Sequence, residues 1–138
     1  MSEQQEFNRS VIEEFRANAG RVGGRLEGVD LVLVTHTGAR TGRALTTPLG
    51  HVVDGDDLVI VAANRGSATH PSWYHNVVAN PDVTVEVGST TYPAKAVVAT
   101  GDERARLWEK VAALKPFLLD FQKQAGPRAI PLVVLRRA

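Results

Sequence analysis

Between Asp30 and Leu135 the chain is cut into short β-rich runs by turn residues, and this punctuation restricts the fold more than any other feature. The runs DLVLVTH (30–36), ALTTPLGHVV (44–53) and DLVIVAA (57–63) are separated by TGARTGR (37–43) and by the Asp-Gly pair of DGDD (54–57). Asp-Gly favours a tight hairpin. Val83, Val85 and Val87 alternate with Thr84 and Glu86, residues 92–99 form a second arm after Gly88, and a last run covers 130–135. Helical spacing appears only at 4–19 (Phe7, Val11, Ile12, Phe15), at 72–79, and after Thr100 (Leu107, Trp108, Val111, Leu114), where Pro116 should break the helix before Phe117, Leu118 and Phe121. Thr100 and Glu103 have capping-box spacing. A doubly wound parallel fold needs a helix after nearly every strand. The pattern predicts instead an α+β, mainly β architecture: a barrel or sheet of about six mostly antiparallel strands with flanking helices.

At 138 residues the chain is expected to form a single domain, 1–138, with 1–24 as an N-terminal helix and lead-in. Cysteine is absent, which excludes disulfides, thiolate metal sites and thiol nucleophiles. The net charge of +1 gives no case for nucleic acid. Its distribution says more: residues 31–53 and 58–81 contain no Asp or Glu but do contain Arg40, Arg43 and Arg65. Folded together, these windows make a locally positive pocket for an anionic small molecule. The polar start MSEQQEFNRSVIEEF resembles no signal peptide, so the cytoplasm is the expected compartment. The first helix reads as packed on the barrel; peripheral membrane contact through it is the alternative.

Gly38, Ala39, Arg40, Thr41, Gly42 and Arg43 have the properties of an anion cradle, with glycines that let backbone N–H groups turn toward a ligand and arginines that supply charge. A solvated hairpin turn is the plainer reading. Ala62, Ala63, Asn64, Arg65 and Gly66 leave a strand and can bring a second Arg to the same anion. The segment HPSWYHN opens a helix whose first N–H groups, at Ser72 and Trp73, are free for a phosphate or ring carbonyl, with Trp73, Tyr74, His75 and Asn76 in the same turn. The plainer reading makes Trp73 core and His75 solvent-facing. Neither HExxH nor GxSxG occurs, so metal-hydrolase and serine-hydrolase chemistry have no support.

The strings VGGRLEG, LVLVTHTGARTGRALTTPL, VVDGDDLVIVAANRG, HPSWYHNVVANPDVTVEVG and IPLVVL resemble, in order and along nearly the whole chain, the deazaflavin-dependent nitroreductase family. The resemblance implies a flavin-binding type of split β-barrel and a hydride transfer from reduced coenzyme F420 to a small-molecule acceptor. It places residues 38–43 on the phosphate and tail, 62–66 along the deazaflavin and phosphate, and 72–76 over the ring. Two departures stand out: Leu45 replaces a common Arg, and a Tyr-x-x-Tyr-x-x-Tyr-Gln pattern becomes Lys115, Leu118, Phe121 and Gln122. Phe117, Leu118 and Phe121 are therefore the substrate-pocket candidates, and a quinone or enone is favoured over a bicyclic nitroimidazole. FMN is the alternative cofactor, a non-catalytic cofactor or lipid carrier the alternative function. Both monomer and homodimer are compatible with the sequence.

Overall fold

The computed structural model describes residues 2–138, the side chain of Arg25 apart. One sheet holds β1 (Leu31–Thr37), β2 (Ala44–Gly50), β3 (Val52–Asp54), β4 (Asp57–Val61), β5 (Asp82–Val87), β6 (Thr90–Val98) and β7 (Leu132–Arg137). The order is β2-β1-β5-β6-β7-β4-β3, and every neighbouring pair is antiparallel. The sheet's two edge strands, β2 and β3, are separated in sequence only by His51. Consecutive Cα atoms are about 3.8 Å apart, so the sheet must curl until the end of β2 reaches the start of β3. The result is an open half-barrel with helices on its faces.

The run 44–53, expected as one strand, is therefore two. It leaves β1 at Gly50, joins β4 at Val52, and the His51 N–H donates to the Asp30 carbonyl at 3.0 Å to fix the crossing. Seven strands replace the expected six or so.

Burial explains the apolar runs. In β1, Val32 and Val34 enter the barrel core while Leu31 and Leu33 face outward under Val11 and Phe15 of α1 (Glu3–Ala17). In β7, Val133 and Leu135 point in, and Leu132 and Val134 lie under α3 (Gly101–Leu114) and α4 (Phe117–Gln124). Strands covered on both faces read as continuous rather than alternating apolar runs. The interior is closed by Trp73 and Val77 of α2 (Ser72–Ala79). Because α1 spends its apolar stripe on Leu31 and Leu33, membrane contact through that stripe would require the helix to leave the barrel. Among the described residues no helix is long and apolar enough to cross a membrane.

Two local expectations change. Thr100 does precede α3, but its side chain makes no capping bond; Glu103 instead reaches Arg136 of β7 at 2.6 Å, tying the helix to the sheet. The last strand begins at Leu132 rather than 130: Pro131 has no N–H for a ladder, and the Ile130 N–H donates to Gln122 Oε1 of α4 at 2.9 Å. The Asp-Gly turn is as expected, with Gly55 at φ +60°. Asp54 beside it binds Arg106 at 3.0 Å and Lys110 at 3.1 Å, which lower its pKa to about 2 and hold α3 against the β3–β4 hairpin.

Candidate active site

The turn between β1 and β2 is built from its own glycines. Gly42 has φ +70°, and a Cβ on Gly38 would lie 2.7 Å from Thr41 Oγ1. The Gly38 N–H donates to the Arg43 carbonyl at 2.8 Å, and the Gly42 N–H to the Gly38 carbonyl at 2.9 Å. Arg40 and Arg43 are exposed and, among the described residues, form no ion pair.

A buried polar chain ties this turn to α2. The Ala39 N–H donates to Asn76 Oδ1 at 2.9 Å, Asn76 Nδ2 lies 3.2 Å from His36 Nδ1, and His36 Nε2 lies 2.9 Å from Thr47 Oγ1. The backbone donor fixes every direction in the chain. Since Asn76 accepts through Oδ1, its amide donates to Nδ1, and the His36 proton must sit on Nε2 and point at Thr47. Burial lowers the His36 pKa, which suits a neutral ring. Desolvation is also the largest cause of the lowered pKa of His51 and His70.

These three shifts set a pH dependence. Below the ordinary value of 6.5 the unfolded chain takes up protons that the folded protein resists. Unfolding free energy then rises with pH across that window. Stability is accordingly full above about pH 6.5 and declines as pH falls toward the lowered native values. Denaturant midpoints measured from pH 8 to pH 5 are expected to fall only below that point.

Above this chain runs a continuous groove. A cavity of about 420 Å³ is lined by Gly38, Ala39, Arg40, Thr41, Leu45, Ser72, His75 and Asn76. It shares Leu45, Ser72 and Asn76 with a cavity of about 690 Å³ that reaches His36, Thr46, Thr47, Trp73 and one face of α1. Pro71 precedes α2 without a side-chain cap, so the first N–H groups of this helix are available to an anion opposite the arginine-bearing turn. The groove is not free of acid: α1 contributes Glu13, paired with Arg9 at 3.3 Å.

Other candidates are placed differently. Trp73 is only 8% exposed and mainly core, with one side on the larger cavity, while His75 is exposed on the groove. Tyr74 lines neither cavity; its ring packs on His70 at 4.6 Å between centroids. None of residues 62–66 lines either cavity of the groove. Ala62 faces the core, Arg65 is exposed, and Gly66 is buried against α4, where a Cβ would meet Gln124 Cβ at 2.9 Å and the Phe121 carbonyl at 3.1 Å. Arg128, which the motifs did not mark, holds this loop. Its guanidinium donates to the carbonyls of Ser67 at 2.9 Å, Ala62 at 3.0 Å and Ala63 at 2.6 Å, and to His70 Nδ1 at 3.1 Å.

Ala63 also lines a separate, largely apolar cavity of about 150 Å³, together with Leu49, Gly50, His51, Lys115, Phe117 and Leu118. Two of the three substrate-pocket candidates are thus on one cavity. Phe121 is not; it packs among the apolar residues beneath α4 and against Phe117.

The sequence profile of the F420H(2)-dependent quinone reductases matches residues 7–137. The chain belongs to that family. An F420H(2)-dependent quinone reductase of Mycobacterium tuberculosis is 39% identical over 126 residues, 89% of this chain and 85% of that protein. Among solved structures, an F420-H2 dependent reductase (FDR-A) superposes with TM-score 0.71 at 34% identity, covering 78% of this chain and 94% of its own. Another, described as a domain-swapped dimer, gives 0.74 at 29% identity over 98% and 100% of the two chains. Family membership makes the protein an oxidoreductase with coenzyme F420 as its cofactor, as the sequence resemblance implied.

Proposed function

We propose that the protein delivers hydride from reduced F420 to a quinone, with the cofactor's phosphodiester and tail in the groove and the acceptor ring in the small cavity. The observation that carries the placement is the uncapped start of α2 facing the glycine turn, whose Arg40 and Arg43 form no ion pair among the described residues. Backbone N–H groups and guanidinium groups bind phosphate oxygens without bringing acid–base chemistry of their own. Bound there, F420 supplies the two-electron chemistry. The protein's own tasks are to bind, orient and exclude water. Asn76 positions the turn, Leu45 gives the groove an apolar wall where a cation is common, and β2 runs from the groove at Leu45 to the cavity at Leu49 and Gly50.

Leu118, 2% exposed, supports the choice of acceptor. At a position where nitroimidazole-reducing relatives are expected to carry a phenol, leucine only packs. Purified protein with reduced F420 is expected to turn over a menadione-type quinone and to reduce a bicyclic nitroimidazole at least tenfold more slowly. Comparable rates on both would show that the phenol is dispensable. Fluorescence titration with F420 and with FMN tests the cofactor assignment separately, and tight FMN binding without F420 binding would reverse it.

A further inference from the structure

The acceptor cavity has a polar group on its wall that the fold leaves unused. Lys110 and Lys95 are both in ion pairs, with Asp54 at 3.1 Å and Asp82 at 2.8 Å. Lys115 is half-buried on the cavity wall and, among the described residues, has neither an ion pair nor a hydrogen bond from its ammonium. Its place is made by a missing side chain: a Cβ on Gly50 would lie 3.2 Å from Lys115 Nζ. His51 lines the same cavity, but its unpartnered Nδ1 has no surface open to it. A partially desolvated ammonium is costly without a counter-charge.

A ligand with an anionic ring oxygen satisfies it. We infer that Lys115 forms an oxyanion-binding pole in the small cavity and contacts the acceptor oxygen on which negative charge collects during reduction. This rests on the reading of that cavity as the acceptor site. The size agrees: the cavity measures about 150 Å³, and an apolar cavity of about 150 Å³ takes benzene. One ring enters, with Phe117 and Leu118 on its faces and the ammonium at its rim.

The chemistry balances with the family's reductant. Hydride carries two electrons and a proton to the quinone while the reduced deazaflavin is oxidised, leaving a hydroquinone monoanion. One more proton completes the hydroquinone; Lys115 delivers it to the ring oxygen and regains it from water. A donor aimed at developing charge in a water-poor site lowers the barrier because it is placed before the reaction begins. The ground-state quinone is neutral, so the ammonium favours the charged state selectively.

4-Nitrophenol is a one-ring probe whose phenolate is read directly by absorbance, with no cofactor or turnover needed. Bound to the wild-type protein its apparent pKa is expected to fall by about one unit, a tenfold preference for the anion. Lys115→Met should abolish the shift, and Lys115→Arg should keep most of it. Absence of saturable binding, binding without a shift, or the same shift in Lys115→Met would each overturn the inference. In turnover of a benzoquinone with reduced F420, Lys115→Met is expected to lower kcat about 100-fold with the F420 dissociation constant unchanged. Failure of the wild type to reduce any quinone, alongside a Lys115-dependent phenol shift, would reject the proposed function and leave the oxyanion site standing.

Discussion

Asn76→Ala is expected to cost about 3 kcal/mol of stability and to weaken F420 binding by more than tenfold, since each buried donor or acceptor left unpaired costs about 1–3 kcal/mol. The substitution strands two groups at once, the Ala39 N–H and His36 Nδ1. It also frees the glycine turn from α2, so the arginines and the helix N-terminus no longer share one fixed geometry. Urea denaturation and fluorescence titration of F420 measure the two effects. Asn76→Asp provides the sharper control. A carboxylate still accepts from Ala39 but has no proton for His36 Nδ1, so it favours a protonated ring and should reverse the local pH dependence, stabilising below pH 6.5 relative to above it. If Asn76→Ala leaves both the denaturation midpoint and F420 affinity unchanged, the buried chain does not organise the site.

Much of this fold is legible because its strands are short, strongly apolar and bounded by glycine, proline and aspartate. LVLV and LVVL could be read as strands; only the structure shows that alternate residues serve the barrel interior and the covering helices. The break at His51 was hidden for a physical reason. A strand that switches partners keeps its extended backbone and apolar residues on both sides, so Gly50 is all that marks the crossing in PLGHVV. Capping-box spacing at Thr100 misled because Glu103 had a better partner 33 residues away in Arg136.

The site divides in the same manner. Glycine turns and a helix start announce themselves locally, which is why 38–43 and 72–76 stand out as candidates in the sequence. Where they meet depends on Asn76, whose bond to Ala39 joins residues 37 apart in sequence and has no local signature. The expected acid-free pocket failed only where α1 folds back across it with Glu13, a contact between residues distant in sequence. Arg128 lay beyond motif reading because its partners are mostly backbone carbonyls, which every residue carries; the available signal was an arginine directly after Gly126 and Pro127, where a chain leaving a helix can turn back onto a neighbouring loop.

Arg128→Met is the second change with a large expected effect, about 3 kcal/mol, taking about 1.5–3 kcal/mol for a hydrogen bond to a charged group and discounting the sum because the released carbonyls can rehydrate. Methionine keeps the length and apolar stem of the side chain while removing the donors that reach Ala62, Ala63, Ser67 and His70. What they restrain is strained: Asn64 and Arg65 sit at φ 47° and 54°, left-handed for residues with a side chain. Each such residue costs of order 1 kcal/mol and persists only where its surroundings hold it. Freed of the guanidinium, residues 62–67 should relax and carry Ala63 away from the wall of the acceptor cavity. The consequence is specific. Hydrogen exchange at Asn64–Gly66 should quicken and KM for the quinone rise, while F420 affinity changes much less than in Asn76→Ala, because none of the residues the clamp holds lines the groove; His70 meets it through the His75 ring, 5.7 Å away between centroids. Arg128→Lys, with one compact donor group in place of a fork, should recover only part of the stability. Equal loss of cofactor and quinone binding in Arg128→Met would mean that the loop belongs to the cofactor site after all.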